Sequence, residues 1–395
     1  KAVPLLLPLT GVLVPLGFLT LGSALLWAPL ARALAWPLVW LTSLLTHLAA
    51  WFAAIPHGSY RIPAPPPWAM LAFFASFAAL AITRWKPARI AAAAVLLASA
   101  AIIAIYPFAP ALHPSNLEIT ALDVGQGDAL VVVSPLGRTM LIDGGGSFAG
   151  GPMAEAARAG GPEPGEDAVS PYLWSRGIQR LDIVALTHAH QDHIGGLRAI
   201  LDNFQVGRLW IGREITARAQ VALEEQARRR KIPIEHERSG DAADWGGARM
   251  EVLWPEAASA APATEAQNND SLVLRLSYGR RAFLLPGDIE RQAEAALLAQ
   301  AKEANLAADV LKAGHHGSRN STTEEFLARV HPQLALISAG AENPYGHPSA
   351  EMLARLEAAR VRVLRTDRNG AIQVLTNGEN LEVSCFAGCA GAGNR

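Results

Sequence analysis

Two patterns of hydrophobicity divide the chain. From Lys1 to about Pro110 most positions are Leu, Ala, Val, Ile, Phe or Trp with very few charges, whereas beyond Asn116 short apolar runs alternate with polar and charged stretches. A helix needs about 20 apolar residues to cross the hydrocarbon of a bilayer. Ala2–Trp27 and Ile90–Phe108 meet that length, Ala33–Ile55 nearly does, and Trp68–Thr83 is short but flanked by tryptophan. Four membrane helices are expected, the second having an interfacial amphipathic helix as its alternative. Pro56–Pro67 contains Gly58 and the run Pro65, Pro66, Pro67, so it reads as a loop: proline lacks the backbone donor and clashes with the preceding turn.

In the second half, Leu117–Leu122, Ala129–Val133, Thr139–Ile142 and Leu181–Leu186 are short apolar or β-branched runs bounded by Gly, Pro or Asp, as strands usually are. A helix over Gly196–Asn203, a strand Arg208–Ile211 and an amphipathic helix over Ile215–Arg230 follow. Strands are then expected near Met250–Leu253, Ser271–Tyr278 and Arg281–Leu285, a helix over Ile289–Ala304, a strand Val310–Ala313, a helix Thr322–Val330 and a strand Leu334–Ser338. The helix Ala350–Ala359 and strands Val361–Leu364 and Ala371–Leu375 close the order. Strands first, then alternation with helices, twice over, predicts two packed β-sheets with helices outside, an α+β sandwich of αββα type. Gly150–Asp167 and Pro255–Gln267 read as long loops. The expected domains are 1–110 for membrane helices, 111–116 for a linker, 117–378 for the sandwich and 379–395 for a Gly/Ala-rich tail.

Charge adds orientation. The net charge of -1 over 395 residues averages a nearly uncharged half with a mixed-sign one. Arg84, Lys86 and Arg89 lie between the last two apolar segments, which by the positive-inside rule puts that loop in the cytoplasm and the sandwich outside it. Arg32, between the first two segments, fits the same assignment. The expected location is the inner membrane, multi-pass, with the second domain extracytoplasmic. The two cysteines, Cys385 and Cys389, are too few and too peripheral for a disulfide framework or a Cys-based zinc site, although their spacing permits oxidation together outside the cytoplasm. The chain starts at Lys1 without methionine, and its first apolar run is longer than a signal-peptide core, so it reads as a piece of a longer membrane protein.

The chemistry concentrates in His188-Ala189-His190-Gln191-Asp192-His193, at the end of a buried strand and ahead of Gly195-Gly196. Four metal-competent side chains in six residues on a turn can face two neighbouring ions, and imidazole and carboxylate suit zinc and manganese alike. Asp288 closes Leu284-Leu285-Pro286-Gly287-Asp288, where one carboxylate can bridge two ions. Taken alone it would be a helix N-cap. His315-His316 follows another strand.

This set, HAHQDH then PGD then GHHGS on this strand order, resembles the metallo-β-lactamase superfamily. More narrowly, the chain is similar to the C-terminal part of the ComEC family, membrane channels of bacterial DNA uptake. The similarity rests on Asp123–Asp128, Leu141–Gly145, Asn268–Val273, Gly314–Ser318 and Tyr345–Pro348, and covers about Glu118 to Leu375. It implies a metal-dependent hydrolase, a phosphodiesterase or nuclease, with two divalent ions. By position, His188 and His190 would hold the first ion, and Asp192, His193 and one of His315 or His316 the second, with Asp288 bridging. His316 is the preferred ligand of the pair, and His315 would touch a substrate oxygen. Many relatives place a further His before the bridging Asp; here Asn268 or Asn269 stands instead. Asp192 would orient the attacking hydroxide, and His347 would donate to the leaving oxygen or phosphate, or else cap the following helix. Asp128 and Asp143 are expected to orient metal histidines or to make turns, and Ser318 to support the site or touch substrate.

Arg208, Arg213, Arg218, Arg228, Arg229, Arg230 and Lys231 offer a basic flank for a phosphate backbone, or a merely solvated helix face. The expected partners are DNA, inner-membrane lipid, the upstream channel part of the same protein and other DNA-uptake proteins. The leading function is DNA internalisation during natural transformation, through a single-stranded DNA channel with an external nuclease domain. The alternatives are a membrane-tethered phosphodiesterase acting on a cell-envelope phosphoester, and a catalytically idle module that binds DNA or a partner.

Overall fold

The computed structural model describes residues 3–54, 62–146, 163–256, 264–300, 306–341 and 343–389. Two compact units are present, Lys1–Ile62 and Pro63–Arg395.

The first unit consists of helices α1 (Val3–Leu26) and α2 (Ala28–Ala54), joined at Trp27. Helix α2 starts five residues before the run expected at Ala33, so Arg32 lies inside it rather than in a loop. Pro29 is tolerated in that first turn because its missing N–H would have had no helical partner there. The stretches Pro8–Leu26 and Ala28–Phe52 are long and apolar enough to cross a membrane. The second segment is therefore a full span by length, contrary to its expected weakness. The first half of the expected loop, 56–61, lies outside the described residues.

In the second unit, α3 (Pro67–Ile82) and α4 (Lys86–Ile105) pack together. Helix α4 is the third stretch of spanning length, whereas α3 has 16 residues. At 1.5 Å per residue α3 is about 24 Å long, short of the roughly 30 Å of hydrocarbon. Three helices, not four, thus meet the length criterion among the described residues.

The rest of the unit is the sandwich. Its strands are β1 (Leu117–Ala121), β2 (Leu130–Val133), β3 (Thr139–Ile142), β4 (Arg180–Leu186), β5 (Gln205–Ile211), β6 (Ile234–His236), β7 (Ala242–Trp245) and β8 (Ala248–Trp254). They continue with β9 (Val273–Tyr278), β10 (Arg281–Leu285), β11 (Val310–Lys312), β12 (Leu334–Ile337), β13 (Arg362–Arg365), β14 (Ile372–Thr376) and β15 (Leu381–Cys385). One sheet runs β15-β14-β1-β2-β3-β4-β5-β6 and the other β13-β12-β11-β10-β9-β8-β7. Alternation in β10 shows how the layers form: Phe283 and Leu285 enter the core between the sheets, while Ala282 and Leu284 face the outer helices. Strand β4 does the same, with Ile183 and Ala185 turned inward and Val184 and Leu186 packed under Leu197, Ile200 and Leu223.

Three strands were not expected. Strand β6 has only three residues, β7 is an edge strand exposed at most positions, and β15 lies within the expected tail. Strand β15 pairs antiparallel with β14, from Thr376↔Leu381 to Ile372↔Cys385, and Cys385 is joined to Cys389 by a disulfide. The segment from 379 therefore continues the sheet as far as Cys385. Its alternation of half-buried and exposed residues gives little apolar signal, because an edge strand covers only one side.

Helix α4 is anchored to the sandwich just ahead of β4. Tyr106, which caps its C-terminus, adopts a left-handed conformation, and its carbonyl accepts a hydrogen bond from Gln179 Nε2 at 3.3 Å. The Arg176 side chain donates to Ala111 O at 2.7 Å and to the buried carboxylate of Glu118 at 2.6 and 3.0 Å.

Candidate metal centre

Strand β4 delivers the His-rich turn. At its C-terminal end Thr187 leads into His188, and Gln191–Ile194 forms a single helical turn ahead of Gly195 and Gly196. Two glycines let neighbouring loops close on this turn. A Cβ on Gly127 would lie 2.2 Å from the carbonyl oxygen of Asp192, and one on Gly146 would lie 1.8 Å from that of Gln191. The absence of side chains there brings the β1–β2 and post-β3 loops against the turn, and Asp128 N donates to Asp192 O at 3.2 Å.

Four of the expected ligands converge. Ligand atoms of Asp192, His193, Asp288 and His316 all lie within 4.8 Å of one another. Asp288 Oδ2 sits 3.0 Å from His193 Nε2 and 3.1 Å from His316 Nε2, and His316 Nε2 is 3.3 Å from Asp192 Oδ2. His193, Asp288 and His316 are buried. Asp288 does not cap the following helix; its carboxylate turns to the histidines while its own N–H donates to Ser271 Oγ at 3.0 Å.

His193 is held from behind. Its Nδ1 is 2.7 Å from Asp143 Oδ2, and Asp143 is itself fixed by the Thr187 N–H at 2.8 Å and hydroxyl at 2.7 Å. A carboxylate on Nδ1 leaves Nε2 facing the cluster. Asp128 pairs with the ammonium of Lys312, a partner not expected from sequence, while its other oxygen is 3.5 Å from His316 Nδ1.

His188 and His190 are turned toward each other. His188 Nε2 is 2.9 Å from His190 Nδ1, and His190 Nε2 is 3.0 Å from Ala266 O. Of the two asparagines, Asn269 is committed to the backbone, its Oδ1 accepting from Glu290 N at 2.8 Å. Asn268 faces His315, with Nδ2 3.3 Å from its Nδ1, and the Asn268 Oδ1 is buried without a hydrogen-bond partner among the described residues. His315 and His316 both have left-handed backbones, and that sharp turn sends one ring into the cluster and the other outward. His315 Nδ1 meets Glu290 at 2.9 Å, and its ring lies 5.5 Å from that of His347, which stacks on Tyr345. The helix Ala350–Ala358 is capped by Ser349, not by His347. Ser318 Oγ accepts from Asn320 N at 3.2 Å and so shapes the turn.

Electrostatics follow from this packing. Burial penalises the imidazolium of His193, but Asp288 and Asp143 outweigh it and hold the pKa well above the ordinary histidine value. Asp288 is likewise penalised by burial yet kept well below the usual carboxylate range by His193, His316 and Lys312. Burial and the neighbouring His193 push His188 well down. His347 falls to about 4 through burial and the proximity of His315 and His316, so its ring is neutral at pH 7.

The residues fit a divalent metal. The nitrogen and oxygen donors are those that zinc and manganese accept. His316 Nε2 and Asp288 Oδ1 are buried inside the cluster with no hydrogen bond among the described residues. Buried polar atoms of native proteins are nearly always satisfied, so such orphans ask for a ligand.

Two partners in this end of the sandwich were not expected from sequence, Lys312 and Glu290. The signal for Lys312 is an ammonium in the otherwise apolar strand Val310-Leu311-Lys312, and that for Glu290 is its place two residues after Asp288. The basic residues, by contrast, do not form one flank. Arg213 bonds Asp270 beside Asn268 and Asn269, whereas Arg230 bonds Asp202 near the start of β5, at the opposite end of the sheet from His188.

Comparison with known proteins gives the same picture. Residues 122–341 match the metallo-beta-lactamase superfamily model, and residues 4–87 match the competence protein model. ComE operon protein 3 of Bacillus subtilis is 39% identical over 263 residues, 66% of this chain and 33% of that protein. Competence protein ComA of Neisseria gonorrhoeae is 30% identical over 373 residues, 92% of this chain and 45% of that protein. Recombination protein 2 of Haemophilus influenzae is 31% identical over 276 residues, 69% of this chain and 30% of that protein. The chain thus spans less than half the length of these relatives. The metallo-beta-lactamase fold implies divalent-metal binding, and the apolar helices together with the competence match imply a membrane location. The chain belongs to the metallo-beta-lactamase superfamily, in the arrangement of the ComEC-type competence proteins, where a competence-protein segment precedes the hydrolase-fold domain.

Proposed function

We propose that the sandwich is an extracytoplasmic two-metal phosphodiester hydrolase acting on DNA during uptake, and that the helices belong to an inner-membrane channel for the imported single strand. The observation that carries this reading is the buried cluster of Asp192, His193, Asp288 and His316, with its unsatisfied donor atoms, behind a segment of competence-protein type. The orientation rests on Arg84, Lys86 and Arg89 at the start of α4, which favour a cytoplasmic start and an outward end.

Two divalent ions, zinc or manganese, would supply hydroxide at neutral pH and stabilise charge on phosphoryl oxygens. Asp192, His193, Asp288 and His316 would hold one of them. His188 and His190 would hold the other with Asp288, giving up the bond between their rings, and Asn268 Oδ1 would stand where relatives have a histidine. Asp192, the least buried of the four, would orient the attacking oxygen. His347 is neutral at pH 7, which suits it to hydrogen-bond a substrate oxygen rather than to protonate the leaving group. His315, braced by Glu290, would contact the same substrate.

The envelope phosphoester alternative turns on how near the cluster lies to the membrane helices. Helix α4 is anchored at Gln179, just before the start of β4, and the cluster lies beyond its end. Seven strand residues put about 23 Å between them. The binding-module alternative draws support from the His188–His190 bond and the asparagine at the third position, which weaken the first metal.

The test is cleavage of single-stranded DNA by the full chain in detergent with manganese or zinc, beside Asp192→Ala and His193→Ala and with a small phosphodiester in parallel. Cleavage lost in both variants is expected. Diester turnover without DNA cleavage would move the reading to the envelope enzyme. Metal-independent DNA binding without turnover of either substrate would move it to the binding module.

A further inference from the structure

We propose that Lys312 is a built-in counter-cation of the metal centre, a positioning residue that holds Asp128 and Asp288 in place before any metal arrives. The inference rests on the two-metal reading above. Strand β11 is otherwise core: Val310 lies between the sheets and Leu311 faces the outer helices. Alternation turns Lys312 back between the sheets, where its side chain has no exposed surface. An ammonium there is costly unless paired, so its partners define its role. They are Asp128, at direct ion-pair contact, and Asp288 Oδ1 at 3.6 Å, the oxygen that has no hydrogen bond. Asp128 precedes β2 in one sheet and Asp288 follows β10 in the other, so the ammonium ties the two sheets together at the end that carries the site.

The charge count gives the link to metal. Asp128, Asp143, Asp192 and Asp288 crowd one polar pocket around His193 and His316. Lys312 is the cation among these groups whose place no metal takes, since the ring nitrogens of His193 and His316 that share Asp288 with it are the ones a metal would occupy. With metal bound, divalent charge performs the same neutralisation. Removing the ammonium therefore harms the metal-free protein more than the loaded one. By linkage, a change that destabilises the free state more than the bound state tightens binding to the native protein.

Lys312→Met keeps the stem and deletes the charge. The experiment compares thermal unfolding of the full chain and of this variant in chelator and in saturating manganese, together with manganese titration and metal content. The expected result is a fall in Tm at least about twice as large in chelator as in manganese, with manganese affinity raised roughly tenfold or more. Equal falls in both conditions would show that Lys312 only packs, and weakened manganese binding would show that it prepares the ligands for metal instead of standing in for the metal's charge; either result would overturn the counter-cation proposal alone. A wild-type chain that takes up no manganese or zinc would overturn both the metal reading and the proposal. Should Lys312→Met fail to fold in chelator, the pair Asp128→Asn with Lys312→Met decides: removing one charge of each sign is expected to restore metal-free folding. Failure of the pair to recover more than the single variant would overturn the proposal.

Discussion

At the scale of single residues, the candidate centre depends on groups behind the proposed ligands. Asp143 has two oxygens and three donors, the Thr187 N–H, the Thr187 hydroxyl and His193, so its only outlet is to aim one imidazole. Asp143→Asn is expected to lower divalent-metal affinity by about 10–100-fold while leaving the fold intact, since such outer partners fix ring orientation and basicity. Isothermal titration with manganese, beside a circular dichroism spectrum, checks it; unchanged affinity would make Asp143 a turn residue. The motif H-A-H-Q-D-H pointed to Asp192 and His193, two of the four clustered residues, because its spacing is local. That His188 and His190 bond one another was not legible, since it depends on Ala266 arriving from 76 residues away to hold His190.

At the scale of elements, β1 and the short helix Ser170–Ser175 are coupled through one buried ion pair. Glu118 has no exposed side-chain surface, and Arg176 reaches it from the residue capping that helix. Burial would raise the Glu118 pKa, but Arg176, His113 and Gln373 outweigh it and bring the value from 4.5 down to about 2. A lowered folded pKa means that the stabilisation is fully present above about pH 4.5 and is lost as pH falls toward 2. Its size is about 3 kcal/mol, from the shift in pKa. Denaturant midpoints measured from pH 6 to 2 are expected to fall steeply in the wild type, and Glu118→Gln is expected to flatten that acid limb while lowering stability at pH 6. An unchanged slope would show that other carboxylates carry the acid sensitivity. The central strands were readable from their apolar runs because both faces are buried. Edge strands β7 and β15 were not, because one face meets solvent and alternation alone is a weak signal.

At the scale of the whole molecule, the unit that contains α4 and the sandwich has its metal cluster at the end of β4 remote from the helix. If DNA reaches the cluster from solvent, then reconstitution into lipid vesicles with the domain outward should leave the rate of cleavage per molecule the same as in detergent. A marked loss in vesicles would place substrate access at the bilayer side. The sequence by itself determined the contrast between an apolar helical part and a charged part rich in strands, the αββα order, and the His and Asp motifs from which the metal ligands are proposed. Each of these is written in local composition, periodicity or spacing of a few residues. Only the tertiary structure decided which of those ligands actually meet, that Lys312 stands among them, and that the basic residues divide between opposite ends of the sheet. Those outcomes depend on side chains from both sheets converging at strand ends, over separations such as the 184 residues between Asp128 and Lys312, where no local pattern records the contact.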